Sequence, residues 1–262
     1  MELQTISTVS IIGTICSILL AIGVPIALMI VGNKKFGAKI SSFFIGAGTF
    51  VVFALILEQI MHTLVIIKLG LNAQSNEWLY YIYAAAAAAV FEETGRIVAM
   101  KFIMKKNFNF PNAFMYGVGH GGIEAIIICG IANIASLYTM IMINTGAIQL
   151  SLAALPAETQ AQTLEALSTY WTTPSSLFFA AGIERVSAII VHIGLSLIIY
   201  NGLKSNKKAI LALAYALHFL VDFIAVSLAS RAQVWVIEAI VFVLAVAVFV
   251  LSHRITKANE NA

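Results

Sequence analysis

The chain has 262 residues, of which 61% are hydrophobic and only 10% charged, and its mean hydropathy is +0.96. Soluble domains carry about 25% charged residues, so this composition excludes one and indicates an all-α, polytopic membrane protein. A net charge of +3 does not point to nucleic acid, and two cysteines inside apolar runs, Cys16 and Cys129, are too few for a disulfide framework or a thiolate metal site.

Apolar length and flanking charge predict seven spans within one integral membrane domain over residues 1–262. They are residues 8–31, 40–69, 79–104, 111–145, 175–201, 208–229 and 232–252. Residues Met1 to Ser10 contain no Lys or Arg, unlike the basic start of a cleaved signal peptide, so the first span is read as an uncleaved helix. Basic residues follow spans one (Lys34, Lys35, Lys39), three (Lys105, Lys106), five (Lys204, Lys207, Lys208) and seven (Arg254, Lys257). By the positive-inside bias, the N-terminus faces out and the C-terminus lies in the cytoplasm, with the protein in the cell membrane. The fourth span carries Gly117, Gly119, Gly121 and Gly122 around His120, a pattern that suits either a closely packed helix or a local break. The extracytoplasmic loop 147–174 opens a polar, alanine-rich stretch at Pro156 and is predicted to hold a short interfacial helix ending in Tyr170 and Trp171.

The chemistry sits in spans three to six. Span three contains Glu92-Glu93-Thr94-Gly95-Arg96 in mid-membrane, and span four contains His120 and Glu124. Span five has Glu184-Arg185 and then His192, and span six has His218 and Asp222. Glu92/Arg96, His120/Glu124 and His218/Asp222 are each four residues apart, so each pair shares a helical face. At about 1.5 Å rise per residue, all of these except Glu184 and Arg185 fall within about two turns of mid-span, compatible with one cluster. An ionisable group at that depth costs about 2.5–3.5 kcal/mol on insertion scales, so such residues need partners. The bland readings are an Arg96–glutamate ion pair, interhelical histidine hydrogen bonds and a Glu184–Arg185 clamp. Glu58, His62 and Glu238 are read as peripheral, or as partners of Lys68 and Arg231. Helix association alone does not require the central set, because interhelical hydrogen bonds contribute only about 0.6 kcal/mol each.

Several hydrolase classes are excluded. Asp222 is the sole aspartate, so a two-aspartate protease dyad cannot be built. Neither His-Glu-x-x-His nor Gly-x-Ser-x-Gly occurs. What remains is glutamate and histidine chemistry: a carboxylate that takes a proton from water, with imidazoles to orient it or stabilise an oxyanion. The same side chains also suit zinc, for which His120, His192 and His218 are the expected ligands. A metal-free mechanism with no cofactor is preferred.

Together, Glu92-Glu93-x-x-Arg96, Gly117-x-x-His120-x-x-x-Glu124, Glu184-Arg185 followed by His192, and His218-x-x-x-Asp222 resemble the YhfC family of intramembrane proteases. That family is similar to a wider group containing type II CAAX prenyl proteases, CPBP-type proteins, PrsW proteases and the multispanning scaffold subunit of γ-secretase. The resemblance implies that Glu92 activates water and that Glu93 and Arg96 complete its motif. It also implies that His120 or Glu124, His192, and His218 with Asp222 assist. The expected function is hydrolysis of a peptide bond in a membrane protein or peptide, by a glutamate-type or zinc-dependent peptidase. The alternatives are a non-catalytic scaffold or immunity factor, and a proton- or ion-coupled transporter. A one-sided cavity would favour the protease, a closed one the scaffold, and a two-sided path transport.

Overall fold

A computed structural model describes residues 2–260 and is built of helices, with no strand among the described residues. Among the described residues, six helices are long and apolar enough to cross a membrane: α1 (Thr8–Phe36), α2 (Ile40–Lys68), α4 (Phe110–Asn144), α7 (Leu177–Lys204), α8 (Lys208–Leu228) and α9 (Val234–Glu260). The third predicted span is α3 (Ala73–Val98), which continues through a wide turn over Ala99–Ile103. It has the length of a span but is less apolar, because it carries Glu92, Glu93 and Arg96 and opens with a polar turn. Its charged turn is buried by protein, with Glu93 and Arg96 at 0% exposure. Two short helices, α5 (Ile148–Ala153) and α6 (Ala157–Thr172), occupy the connection between α4 and α7.

Local sequence sets the ends. The Ser7 side chain accepts from the Ser10 N–H at 3.0 Å to start α1, and Gly37, at φ 66°, closes it. Asn109 caps α4 in the same way, with Pro111 in its first turn. α3 begins at an Asn72–Ser75 capping box but breaks at Asn76, whose side chain then caps Leu79 at 3.1 Å.

Helix α7 runs through the centre, with most of its length buried against α1, α4, α8 and α9. By contrast, α1, α8 and α9 leave most of their apolar surface exposed, as lipid-facing helices do. The glycines of α4 serve packing, because the helix is unbroken from Phe110 to Ala125. A Cβ on Gly119 would stand 1.9 Å from the Phe43 carbonyl oxygen, so α2 and α4 cross backbone against backbone. On the opposite side of α4, Gly121 lets the His192 side chain of α7 approach to 3.0 Å of where a Cβ would be. His120 is thereby held between α2, α3 and α7.

Wide, π-helical turns interrupt α1 at Leu19–Gly23, α2 at Val51–Glu58 and Thr63–Lys68, and α4 at Ile126–Ile131. Together with Ala99–Ile103, several of these adjoin a turn that carries a charged residue: Arg96, Glu124 or Glu58 itself. Each inserted residue rotates the downstream face, which a uniform 3.6-residue period does not anticipate. At the end opposite the basic loops, α5 and α6 pack over α4 and the N-terminal segment around Ile6, Met140, Ile143, Leu152 and Leu167. Tyr170 and Trp171 lie half-buried against this cluster. Asn144 ties the segment down, accepting from the Ile6 N–H at 2.7 Å and donating to its carbonyl at 3.0 Å.

Candidate active site

Glu92 of α3 is the point on which the other groups converge. Its Oε2 lies 2.8 Å from His120 Nε2, 3.4 Å from Arg96 Nη2, 3.7 Å from His192 Nδ1 and 4.0 Å from His218 Nε2. These four side chains come from α4, α3, α7 and α8, and all are buried, the histidines at 0%, 5% and 2% exposure. None of the three histidines faces lipid. Phe50 of α2 packs edge-on to His120, with ring centroids 5.3 Å apart.

Arg96 organises the buried half. Its Nη1 donates to the His192 carbonyl at 2.9 Å and to Ser196 Oγ at 3.0 Å. Its Nε stands 3.1 Å from Glu93 Oε1, and its Nη2 lies 2.6 Å from His192 Nδ1. Arginine has no acceptor, so it must donate to Nδ1, which places the ring hydrogen of neutral His192 on Nε2. That nitrogen faces Glu124 Oε2 at 2.5 Å. Glu124 is gripped in turn by Arg185 Nη1 at 2.7 Å, and Arg185 also pairs with Glu184. The predicted Glu184–Arg185 clamp therefore reaches the site through Glu124 and His192. On α8, His218 faces Glu93 through Nδ1 at 2.8 Å and Asp222 through Nε2 at 3.3 Å. All eight predicted site residues thus join one network.

A cavity of ≈210 Å³ lies against this network, with His192 and His218 in its wall. It extends between α7, α8 and α9 past Glu124, Arg185 and Asp222 to Glu238, towards the end covered by α5 and α6. Towards the basic end Leu195, Ile198 and Ile199 are almost wholly buried, and the cavity shares no lining residue with the pocket at Met100 and Lys101.

At the edge of the site, neither of the alternative pairings, of Glu238 with Arg231 or of the Glu58–His62 pair with Lys68, forms. Glu238 lines the same cavity rather than pairing with Arg231, which instead binds Glu77 at 2.5 Å. Glu58 and His62 pair with each other at 3.2 Å, and His62 Nδ1 meets Tyr83 Oη at 2.9 Å, with no bond to Lys68. Sequence reading missed Ser196; its spacing of four from His192 placed it on the right face.

For a metal, the converging ligand atoms belong to Glu92, His120 and His192, all within 4.8 Å of one another. A carboxylate thus stands where His218 was expected, because His218 is turned towards Glu93 and Asp222. These donor types and separations are compatible with zinc. The His192 Nδ1 lone pair, however, is taken by Arg96, so an ion would have to displace a fully buried guanidinium that has other partners. By donor type and spacing this buried Glu/His/His group is compatible with a metal site, and Arg96 is the group that a bound ion would displace.

Over residues 17–244 the chain matches the profile of a family described as YhfC intramembrane metalloprotease. It is also 34% identical over 245 residues to a Bacillus subtilis (strain 168) protein named "Uncharacterized membrane protein YhfC". That alignment covers 88% of this chain and 92% of the relative. No solved structure matches the chain.

Proposed function

Because this chain belongs to the YhfC family, we propose that it is an intramembrane peptidase, hydrolysing a peptide bond of a membrane protein or peptide in or beside the cell membrane. The observation that carries this reading is the convergence of His120, His192, His218 and Arg96 on one oxygen of Glu92, beside a polar-walled cavity. In this reading Glu92 takes a proton from water while the water oxygen attacks the carbonyl carbon. The proton then passes to the departing amine nitrogen as the C–N bond breaks. His120 holds the carboxylate, and Arg96 supplies positive charge beside it. His218 Nε2, in the cavity wall 4.0 Å from Glu92 Oε2 and 3.3 Å from Asp222, orients the water and donates to the developing oxyanion, while His192, held between Arg96 and Glu124, fixes the guanidinium beside Glu92. Water reaches this depth only where protein lines the space, which the cavity provides.

We take water activation to be metal-free, with Arg96 occupying the electrostatic place of an ion. Hydrolysis is favoured over coupled transport because the cavity runs to one side only. The bias of basic loops orients the N-terminus outward and the cavity towards the extracytoplasmic half. The test compares membrane-protein fragments from cells producing wild-type and Glu92→Gln chains at equal abundance. Fragments confined to wild type support a peptidase. If the protein's cellular role persists with identical fragments in both, a scaffold role replaces it.

A further inference from the structure

The basic end of the bundle holds a feature with no part in the proposed hydrolysis. Between the ends of α3 and α7 lies a cavity of ≈320 Å³ lined by Met100, Lys101, Lys105, Phe108, Leu203 and Asn206. Its lining is half cationic or amide and half apolar. It sits where the apolar run of α3 gives way to Lys105 and Lys106, the depth at which acyl chains meet headgroups.

The two lysines are uncompensated. Lys101 Nζ lies 5.6 Å and Lys105 Nζ 5.8 Å from the centroid of the same Phe102 ring, so one aromatic ring gathers both ammonium groups. Among the described residues, no salt bridge involves a lysine. Like charges drawn together without a carboxylate leave an anionic vacancy at the mouth of a partly apolar pocket. Exposed Phe102 and Ile103 continue the surface towards the bilayer core, giving acyl chains a track.

We propose that this cavity binds one anionic phospholipid, with its phosphate between Lys101 and Lys105. Asn206 faces the glycerol region, and the proximal acyl carbons rest on Met100, Phe108 and Leu203. Basic pockets between membrane helices recognise anionic headgroups in this way.

The test titrates the purified full-length chain with phosphatidylglycerol, with phosphatidylcholine of identical chains, and with free glycerol phosphate, reading bound lipid by native mass spectrometry. Wild type is expected to retain phosphatidylglycerol in preference to phosphatidylcholine and to ignore glycerol phosphate. The K101Q/K105Q double variant should bind phosphatidylglycerol about 30-fold more weakly, the loss of two lysine–lipid attractions. A K34Q/K35Q variant, changed at another basic loop, should bind as wild type does. Equal retention of the two lipids, or capture of free glycerol phosphate in their place, would overturn the proposal. So would an unchanged K101Q/K105Q variant, or an equal loss in K34Q/K35Q, which would reveal only diffuse attraction to anionic membrane. Both lysines are solvent-exposed, so the double variant is expected to fold; the melting temperature of each variant in phosphatidylcholine checks this.

Discussion

Glu92→Gln separates chemistry from packing more cleanly than any other change in the site. A carboxamide keeps the side-chain volume and a hydrogen-bonding oxygen but cannot accept a proton from water. Glu92 is buried beside Arg96, so removing its charge threatens to strand the guanidinium. The structure shows why it does not. Arg96 loses one contact at 3.4 Å but keeps Glu93 at 3.1 Å, the His192 carbonyl at 2.9 Å, His192 Nδ1 at 2.6 Å and Ser196 at 3.0 Å. The remaining counter-ion is itself completely buried. The stability cost is then that of the weakened hydrogen bonds from His120 and Arg96 to this position, about 1.5–3 kcal/mol for a bond to a charged group. Peptide hydrolysis should fall by about 10²–10⁴-fold, the range for losing acid–base assistance. Abundance and thermal unfolding in detergent measure the first quantity, and fragment formation from a membrane-peptide substrate measures the second. Wild-type cleavage by folded Glu92→Gln would refute the general-base assignment. Collapse of folded protein would refute the argument that Glu93 suffices as counter-ion.

Three further outcomes follow from the same geometry. Asp222→Asn should lower cleavage less than Glu92→Gln, because the Asp222 side chain is 36% exposed and an amide oxygen can still face His218 Nε2 across 3.3 Å; parallel rate measurements decide this. Gly119→Ala should destabilise the bundle by about 3 kcal/mol or more, since its Cβ would meet the Phe43 carbonyl oxygen at 1.9 Å and neither backbone can yield. Gly48→Ala, with nothing within 4 Å, should unfold like wild type in the same assay. Purified protein should carry well under one zinc per chain by elemental analysis and keep its cleavage activity after chelation; stoichiometric zinc lost together with activity in His120→Ala would restore the metal-dependent reading.

Much of the architecture was legible because membrane insertion acts residue by residue. Each span needs its own apolar length, so the starts of α2 and α8 and the ends of α4 and α8 lie within about two residues of where hydropathy placed them. Charge in mid-span is costly wherever it occurs, which marked Glu92, Glu93 and Arg96 before any contact was known. Spacing of four likewise put His120 with Glu124, and His218 with Asp222, on common faces.

Partner choice was not legible, because it depends on how helices rotate and cross. Nothing local distinguishes an Arg96 that neutralises glutamate from one that also seizes the His192 lone pair. Arg185 joins the site only because α4 and α7 approach closely enough for it to hold Glu124. Glu238 borders the cavity only because α9 lies along α7. Sequence thus determined which groups must be buried and at what depth, since that cost belongs to each residue. Tertiary packing decided which nitrogen meets which oxygen, because those distances exist only between helices already in place.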